Sequence, residues 1–587
     1  MDIGRLSDGK VLRGTDIDSA ATRERSRQRR LLRTSALLGC VLVWYWWRRL
    51  SGNPVKLGLP VFFRDNPEML LSVGLLFLLG GVILLPFLGA GRSPHVVLRP
   101  EDTGIKLDDV VGAEQTRREA IDTLNLFLAH RTFTEQLGGT PRRGVLFEGA
   151  PGTGKTYLAK AMAGEAGVPF LFVSASAFQS MYYGQTNRKI RTFFKELRKL
   201  ARSEGGAIGF IEEFDAIGGA RSGMGGSSMR EGITGVVNEL LVQMQSFDVP
   251  DGPARMTNAV VDFVNRFLPS HRQWERPQSP TPNVLVIAAT NRASDLDPAL
   301  IRPGRFDRII HFDLPPRSDR HDIAEYYLGI KSHAAEVDPD FVADITSGYS
   351  PVMIERLLDE ALVCALRSSR REMVRADVLD AKLITELGLA QKVGYEPLER
   401  RRIAVHEAGH ALLAELLGRR VEVASILRRS ASLGLVAHGE LGERHLRTPT
   451  EARALIQIAF GGLAAEELEF GEASSGIASD LQAATTIAAQ LVGTLGGAGS
   501  RFSLEAAGMP TATNIVAKVA SDQRSRDAAE SILSECEHVA MDLVGQHRDA
   551  LYAIADALLE QDELSGDEVR VLVARHREPS LGSASAG

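Results

Sequence analysis

Two histidines and an acid carry the first recognisable chemistry in this chain. In Ile403-Ala-Val-His406-Glu407-Ala-Gly-His410-Ala-Leu-Leu413 the imidazoles stand four residues apart. Apolar residues recur between them at helical spacing, and a helix puts i and i+4 on one face, one turn apart. Two imidazoles so held suit a zinc ion, with Glu407 beside them as general base toward a metal-activated water. Catalytic zinc takes three protein ligands and keeps one position open, so a third ligand must come from elsewhere.

A second chemistry lies upstream. Gly144-Val-Leu-Phe-Glu148 reads as a short buried strand and runs into Gly149-Ala150-Pro151-Gly152-Thr153-Gly154-Lys155-Thr156, followed by a helical stretch from Tyr157 to Ala166. This is a phosphate loop in its strand–loop–helix setting. Its glycines let backbone N–H groups converge on phosphate oxygens at a helix N-terminus. Lys155 suits the β and γ phosphates of ATP, and Thr156 suits Mg²⁺. Another apolar strand, Ala207–Ile211, ends in Glu212-Glu213, acids placed for metal support and water activation. A third, Val284–Ala289, ends in Thr290-Asn291, and Asn291 suits positioning of the attacking water.

These elements sit in a chain of 587 residues with a net charge of −6, 44% hydrophobic and 24% charged residues. The length allows roughly four domains, the composition excludes wholesale disorder, and the charge balance gives no reason to expect nucleic acid. Cys40, Cys364 and Cys536 lie far apart, so they form neither a disulfide framework nor a thiolate zinc site. The N-terminus is polarised. Six arginines and one acid occupy residues 23–33; Thr34–Trp47 is then uncharged and closes in Trp44-Tyr45-Trp46-Trp47. Met69–Gly91 is uncharged for 23 residues, enough to cross about 30 Å of hydrocarbon. The shorter segment also fits a signal peptide or an interfacial helix, but no A-x-A-like site follows it and its aromatics suit an interfacial belt. Two crossings, with a small external loop near 48–68, leave the basic N-terminus and the ATP-requiring region on the cytosolic side.

From Asp109-Val-Val-Gly112 to about residue 375 the chain resembles the AAA ring ATPases. There, Arg302 and Arg305 of Leu296-Asp-Pro-Ala-Leu-Ile-Arg302-Pro-Gly-Arg305-Phe-Asp-Arg308 match arginine fingers that reach the neighbouring subunit's nucleotide. Met181-Tyr182-Tyr183-Gly184 matches the pore loop that grips polypeptide. His406-Glu-Ala-Gly-His-Ala and Ser475-Gly476-Ile-Ala-Ser479-Asp480 are similar to the peptidase domain of FtsH-type membrane-anchored AAA proteases, which makes Asp480 the third ligand. Without that resemblance an acid at a helix start would be read as a cap. Gly461-Gly-Leu-Ala-Ala-Glu466-Glu467 and His547–Leu559 are also similar to FtsH segments, and the resemblance covers about 105–575.

The resemblance implies an α/β P-loop AAA+ ATPase domain (105–318) with a small helical lid (319–390), then a mostly α zinc peptidase domain (396–577). A basic segment (1–33), a membrane anchor (34–91) of transmembrane helices and a flexible tail (578–587) complete the layout. It further implies Zn²⁺, ATP and Mg²⁺ as cofactors, a homo-oligomeric, hexameric ring, unfolded or membrane proteins as substrates, and a multi-pass place in a bacterial inner membrane. Four departures stand out. Glu212 replaces the usual Asp, the external domain is reduced to a loop, residues 249–282 insert a Pro-rich segment with the apolar patch Ala259–Val264, and Ser347-Gly-Tyr-Ser350-Pro351-Val lacks the family's Gly-Ala-Asp. The longer Glu212 and the altered 350–352 segment lead us to expect a slow motor that Glu212→Asp would speed. A membrane-bound unfoldase with an idle zinc site and a scaffold that binds ATP without turnover remain open.

Overall fold

A computed structural model describes residues 19–52, 75, 78–79, 94–139, 143–179, 185–218, 227–245, 252–269, 272–275, 282–391, 394–429, 434–439, 448–496, 502–504, 506 and 514–576. Two compact units emerge, one of residues 1–331 and 338–356, the other of 332–337 and 357–587. The helices Arg317–Leu328, Pro339–Ile345, Pro351–Arg367 and Arg375–Leu387 are divided between them.

The first unit is built on a six-stranded sheet of β1 (Val96–Leu98), β2 (Gly144–Gly149), β3 (Phe170–Ser174), β4 (Ala207–Glu212), β5 (Val284–Thr290) and β6 (Arg308–Phe312), in the order β1-β3-β4-β5-β2-β6. Only β1 runs antiparallel, at the edge against β3. The central strands read as apolar runs because both faces are covered, as a parallel sheet requires. Leu146, Val173, Ile211 and Val286 pack on one face with Ile190, Phe193 and Leu197 of the helix Gln185–Glu204. Val145, Phe147, Phe210 and Ile287 pack on the other with Leu158 and Met162 of the helix Lys155–Ala166. Because β5 lies beside β2 and β4 beside β5, their C-terminal ends bring the phosphate loop, Asn291 and Glu212-Glu213 to one edge of the sheet.

The basic residues from Arg23 on and the apolar run that follows belong to one helix, Ser19–Leu50, whose Arg23 pairs with Glu204 and Glu101. Its uncharged stretch ends at Arg48 and spans about 21 Å at 1.5 Å per residue, short of the hydrocarbon core. No helix among the described residues is long and apolar enough to cross a membrane. The second candidate span, 69–91, lies outside the described residues except for Leu75, Leu78 and Leu79. The inserted segment contains a helix, Gly252–Asn265, that buries Val261 and exposes Val260 and Phe263.

In the second unit the helix Pro397–Leu416 is buried continuously from Ile403 to Ala414. A helix apolar all round must be wrapped, and here the helices Gly461–Phe470 and Arg548–Gln561 pack against it. A three-stranded antiparallel sheet, Leu435–Gly439, Arg420–Ser425 and Glu563–Ser565, is the only sheet of more than two strands among the described residues of this mostly helical unit.

Candidate functional site

His406 and His410 project from one face of the buried helix, with their Nε2 atoms 3.1 Å apart. Asp480 stands in the first turn of the helix Ala478–Gly493, whose N-cap is Ile477, so it is not the capping residue. Its Oδ2 lies 3.2 Å from His406 Nε2 and 3.4 Å from His410 Nε2. That oxygen is buried and makes no hydrogen bond among the described residues. Tetrahedral zinc with bonds of about 2.0–2.1 Å holds its ligands about 3.3 Å apart, so this triangle has the right edges. The opposite ring atoms are already engaged: His406 Nδ1 is 2.8 Å from Glu466 Oε1, and His410 Nδ1 is 2.7 Å from the Ile458 carbonyl. In the neutral, ligating form those contacts put the proton on Nδ1 and leave both Nε2 lone pairs facing inward. The residues therefore fit zinc.

Charge is tightly arranged around this triangle. Burial disfavours an imidazolium at His406, yet the carboxylates of Asp480 and Glu466 outweigh it and push its pKa up to about 10, so zinc must displace a proton there. Burial lifts the Glu407 carboxyl above its ordinary range, Asp480 adds to the effect, and the two histidines oppose it. A carboxylate raised in this way is a better proton acceptor than an exposed one.

At the nucleotide end, Lys155 Nζ donates to the carbonyls of Gly149 (2.6 Å) and Ala150 (2.9 Å) and to Asn291 Oδ1 (3.2 Å). Burial lowers its pKa, against the pull of Glu212 and Asp215. Thr156 Oγ1 donates to Glu212 Oε1 at 2.6 Å, and Ser174 Oγ to Glu213 Oε2 at 3.2 Å. Glu213 itself has φ +53, a left-handed conformation rare for a residue with a side chain and frequent at functional positions. Arg302 is exposed, whereas Arg305 is half-buried with its guanidinium donating to the Ala299 carbonyl. Met181, Tyr182, Tyr183 and Gly184 lie outside the described residues.

Comparison with known proteins joins the two sites. The model of the ATPase family associated with various cellular activities (AAA) matches residues 145–314, and that of peptidase family M41 matches 394–572. The ATP-dependent zinc metalloprotease FtsH of Acidothermus cellulolyticus is 34% identical over 504 residues, covering 83% of this chain and 69% of the relative. FtsH 1 of Sorangium cellulosum is 33% identical over 502 residues, covering 83% and 75%. The chain belongs to the FtsH family. The AAA match covers the phosphate loop, Glu212-Glu213 and Asn291, and the M41 match covers His406, Glu407, His410 and Asp480.

Sequence reasoning reached Glu466 only as part of a segment similar to FtsH, with no role attached. In the structure it is 1% exposed and holds His406, and it accepts from the Ser474 backbone N–H (2.7 Å) and hydroxyl (2.9 Å). Burial alone would raise its carboxyl, but His406 and Ser474 bring it below the usual range. The approach depends on glycine. A Cβ on Gly409 would sit 2.2 Å from the Gly461 carbonyl, and one on Gly462 would sit 2.4 Å from the His406 ring. Glu466→Ala should weaken zinc binding by about 10–100-fold, the usual cost of losing a partner behind a metal ligand. Zinc titration of metal-stripped protein against a competing chelator checks this, and an unchanged affinity would deny Glu466 that role.

The geometry at Glu212 supports the opposite expectation to the one drawn from its chain length. Its carboxylate already reaches the Thr156 hydroxyl, so the pocket accommodates the longer acid. Glu212→Asp withdraws that oxygen by over an ångström, and displacements of about 1 Å can cost around 10²-fold in such sites. Steady-state phosphate release should therefore fall by about 10–100-fold in Glu212→Asp. A faster rate would restore the slow-motor reading.

Proposed function

We propose that this chain is a membrane-anchored, ATP-dependent zinc metalloprotease that unfolds and degrades unfolded and membrane proteins. The observation that carries the reading is the convergence of His406, His410 and Asp480 beside a buried Glu407, in a chain that also holds a complete phosphate loop. His406, His410 and Asp480 hold the zinc, which when bound lowers the pKa of a water and polarises the scissile carbonyl. Glu407 takes the proton from the attacking water and passes it to the leaving amine nitrogen as the peptide C–N bond breaks. Glu466 and the Ile458 carbonyl keep the two imidazoles in the tautomer that ligation needs.

In the motor, residues 149–156 bind the phosphates of ATP, with Thr156 and Glu212 serving Mg²⁺. Glu213 accepts the proton of the hydrolytic water and Asn291 orients that water. Arg302 and Arg305 reach the neighbouring subunit of a hexameric ring, and Met181-Tyr182-Tyr183-Gly184 draws the polypeptide inward. Residues 34–47 and 69–91 anchor the ring in a bacterial inner membrane, with both enzymatic regions facing the cytoplasm. Degradation of an unfolded protein by the full chain, abolished by a chelator and restored by zinc, tests the reading.

Ring assembly has its own expected result. Arg305→Ala subunits and Lys155→Ala subunits should each be inactive alone. Mixed rings should recover part of the ATPase, because some interfaces pair an intact phosphate loop with an intact finger. Verified mixed rings that recover nothing would argue against action across the interface.

A further inference from the structure

Beyond the phosphate loop, the nucleotide region opens into a cavity of about 350 Å³ lined by Gly152, Thr153 and Gly154 together with Val110, Leu158 and Ile323. If those glycines receive the phosphates, the remaining apolar wall suits the flat faces of a nucleoside. Among the polar side chains on that wall, which include Asp109, Arg117 and Asp313, Tyr327 and Glu355 form a hydrogen-bonded pair, the Tyr327 hydroxyl donating to Glu355 Oε2 at 3.2 Å. We propose that Tyr327 and Glu355 form a clasp that selects the nucleotide by accepting a hydrogen bond from a donor on its nucleoside, a ribose hydroxyl or an exocyclic amine.

The chemistry of the pair supports this. Glu355 is half-buried, and among the described residues its other carboxylate oxygen accepts nothing and no cation pairs with it. That oxygen is free to accept from a donor on an incoming nucleoside. The glycines of the phosphate loop set the phosphate end, which leaves the nucleoside end for the rest of the cavity, where Glu355 stands. Burial, then the charge of Glu355, raises the Tyr327 pKa, so the phenol stays neutral and keeps donating to its partner. The clasp is held in register with the phosphate loop. Val352 N–H, in the first turn of the helix that bears Glu355, donates to the Gly152 carbonyl at 3.4 Å. Gly152 has φ +78, and a Cβ there would lie 2.8 Å from Ser350 Oγ. The segment 350–352, which departs from the family pattern, thus seats Glu355 one turn from its contact with the loop.

The proposal rests on the reading of this region as an ATP site, and its test separates the two. Equilibrium binding of ADP, 2′-deoxy-ADP and purine riboside diphosphate to the detergent-solubilised full chain avoids any complication from hydrolysis. The unaltered chain should bind one of the two analogues about tenfold or more weaker than ADP. Glu355→Ala should reduce that ratio to about twofold or less, and the isosteric Tyr327→Phe should lower it in part. The analogue that suffers tells whether the donor is the ribose 2′-hydroxyl or the base amine. Equal ratios in the unaltered chain and in both variants would overturn the clasp. Failure of the unaltered chain to bind ADP at all would remove the nucleotide reading and the clasp with it.

Discussion

Glu407→Gln should abolish peptide cleavage while leaving zinc content and ATP hydrolysis close to those of the unaltered chain. The carboxamide keeps the size and burial of the side chain but cannot accept the proton of the attacking water. Loss of a general base commonly costs 10²–10⁴-fold. Glu407 is not one of the three groups whose ligand atoms converge, so the metal should stay. Removing a charge from a buried position whose pKa burial has raised should also cost little stability. Peptide release from an unfolded protein, phosphate release and zinc analysis on one preparation check all three expectations. Continued proteolysis in a zinc-loaded variant would sink the assignment of the base.

Glu213→Gln should nearly stop ATP hydrolysis and leave ATP bound. The residue follows the last position of β4 and has a left-handed backbone, and its carboxylate has a different partner from that of Glu212, which accepts from Thr156. Ser174 donates to its carboxylate, which fixes the acceptor beside the phosphate loop. Substitution by Gln should cost about 10²–10⁴-fold in turnover for the same reason as at Glu407. Because a sequestered protease needs an unfolded feed, degradation of a folded substrate should fall in parallel, whereas cleavage of a short peptide should persist. A Glu213→Gln chain that hydrolyses ATP at the unaltered rate would move the base elsewhere, Asp215 being the next acid downstream.

Much of this was legible in the sequence because the signals are local. Lys155 and Thr156 follow a strand directly, and the helix turn that joins His406 to His410 is four residues long. The three strands read from apolar runs are the buried centre of the sheet. The edge strand Val96–Leu98 has only three residues, two of them exposed, and leaves no such run. Asp480 is different. Nothing in its spacing points to the histidines, since its approach depends on how the helix Ala478–Gly493 packs in the second unit, and only the family resemblance named it. Glu466 and the Ile458 carbonyl act through tertiary contacts that no periodicity encodes. The Pro-rich insertion concealed a helix because its prolines flank Gly252–Asn265 and its single interior proline, Pro253, sits in the first turn, where it is tolerated. For Glu212 the sequence offered only its chain length, because the position of its hydroxyl partner Thr156 was out of view.

The most direct measurement follows peptides released from an unfolded protein by the detergent-solubilised full chain, with ATP, with a non-hydrolysable ATP analogue and with neither, before and after zinc removal. Rapid release is expected only with hydrolysable ATP and zinc together, with recovery when zinc is returned. Equal release without ATP, or no release from protein that binds zinc and turns over ATP, would contradict the coupling of the two sites.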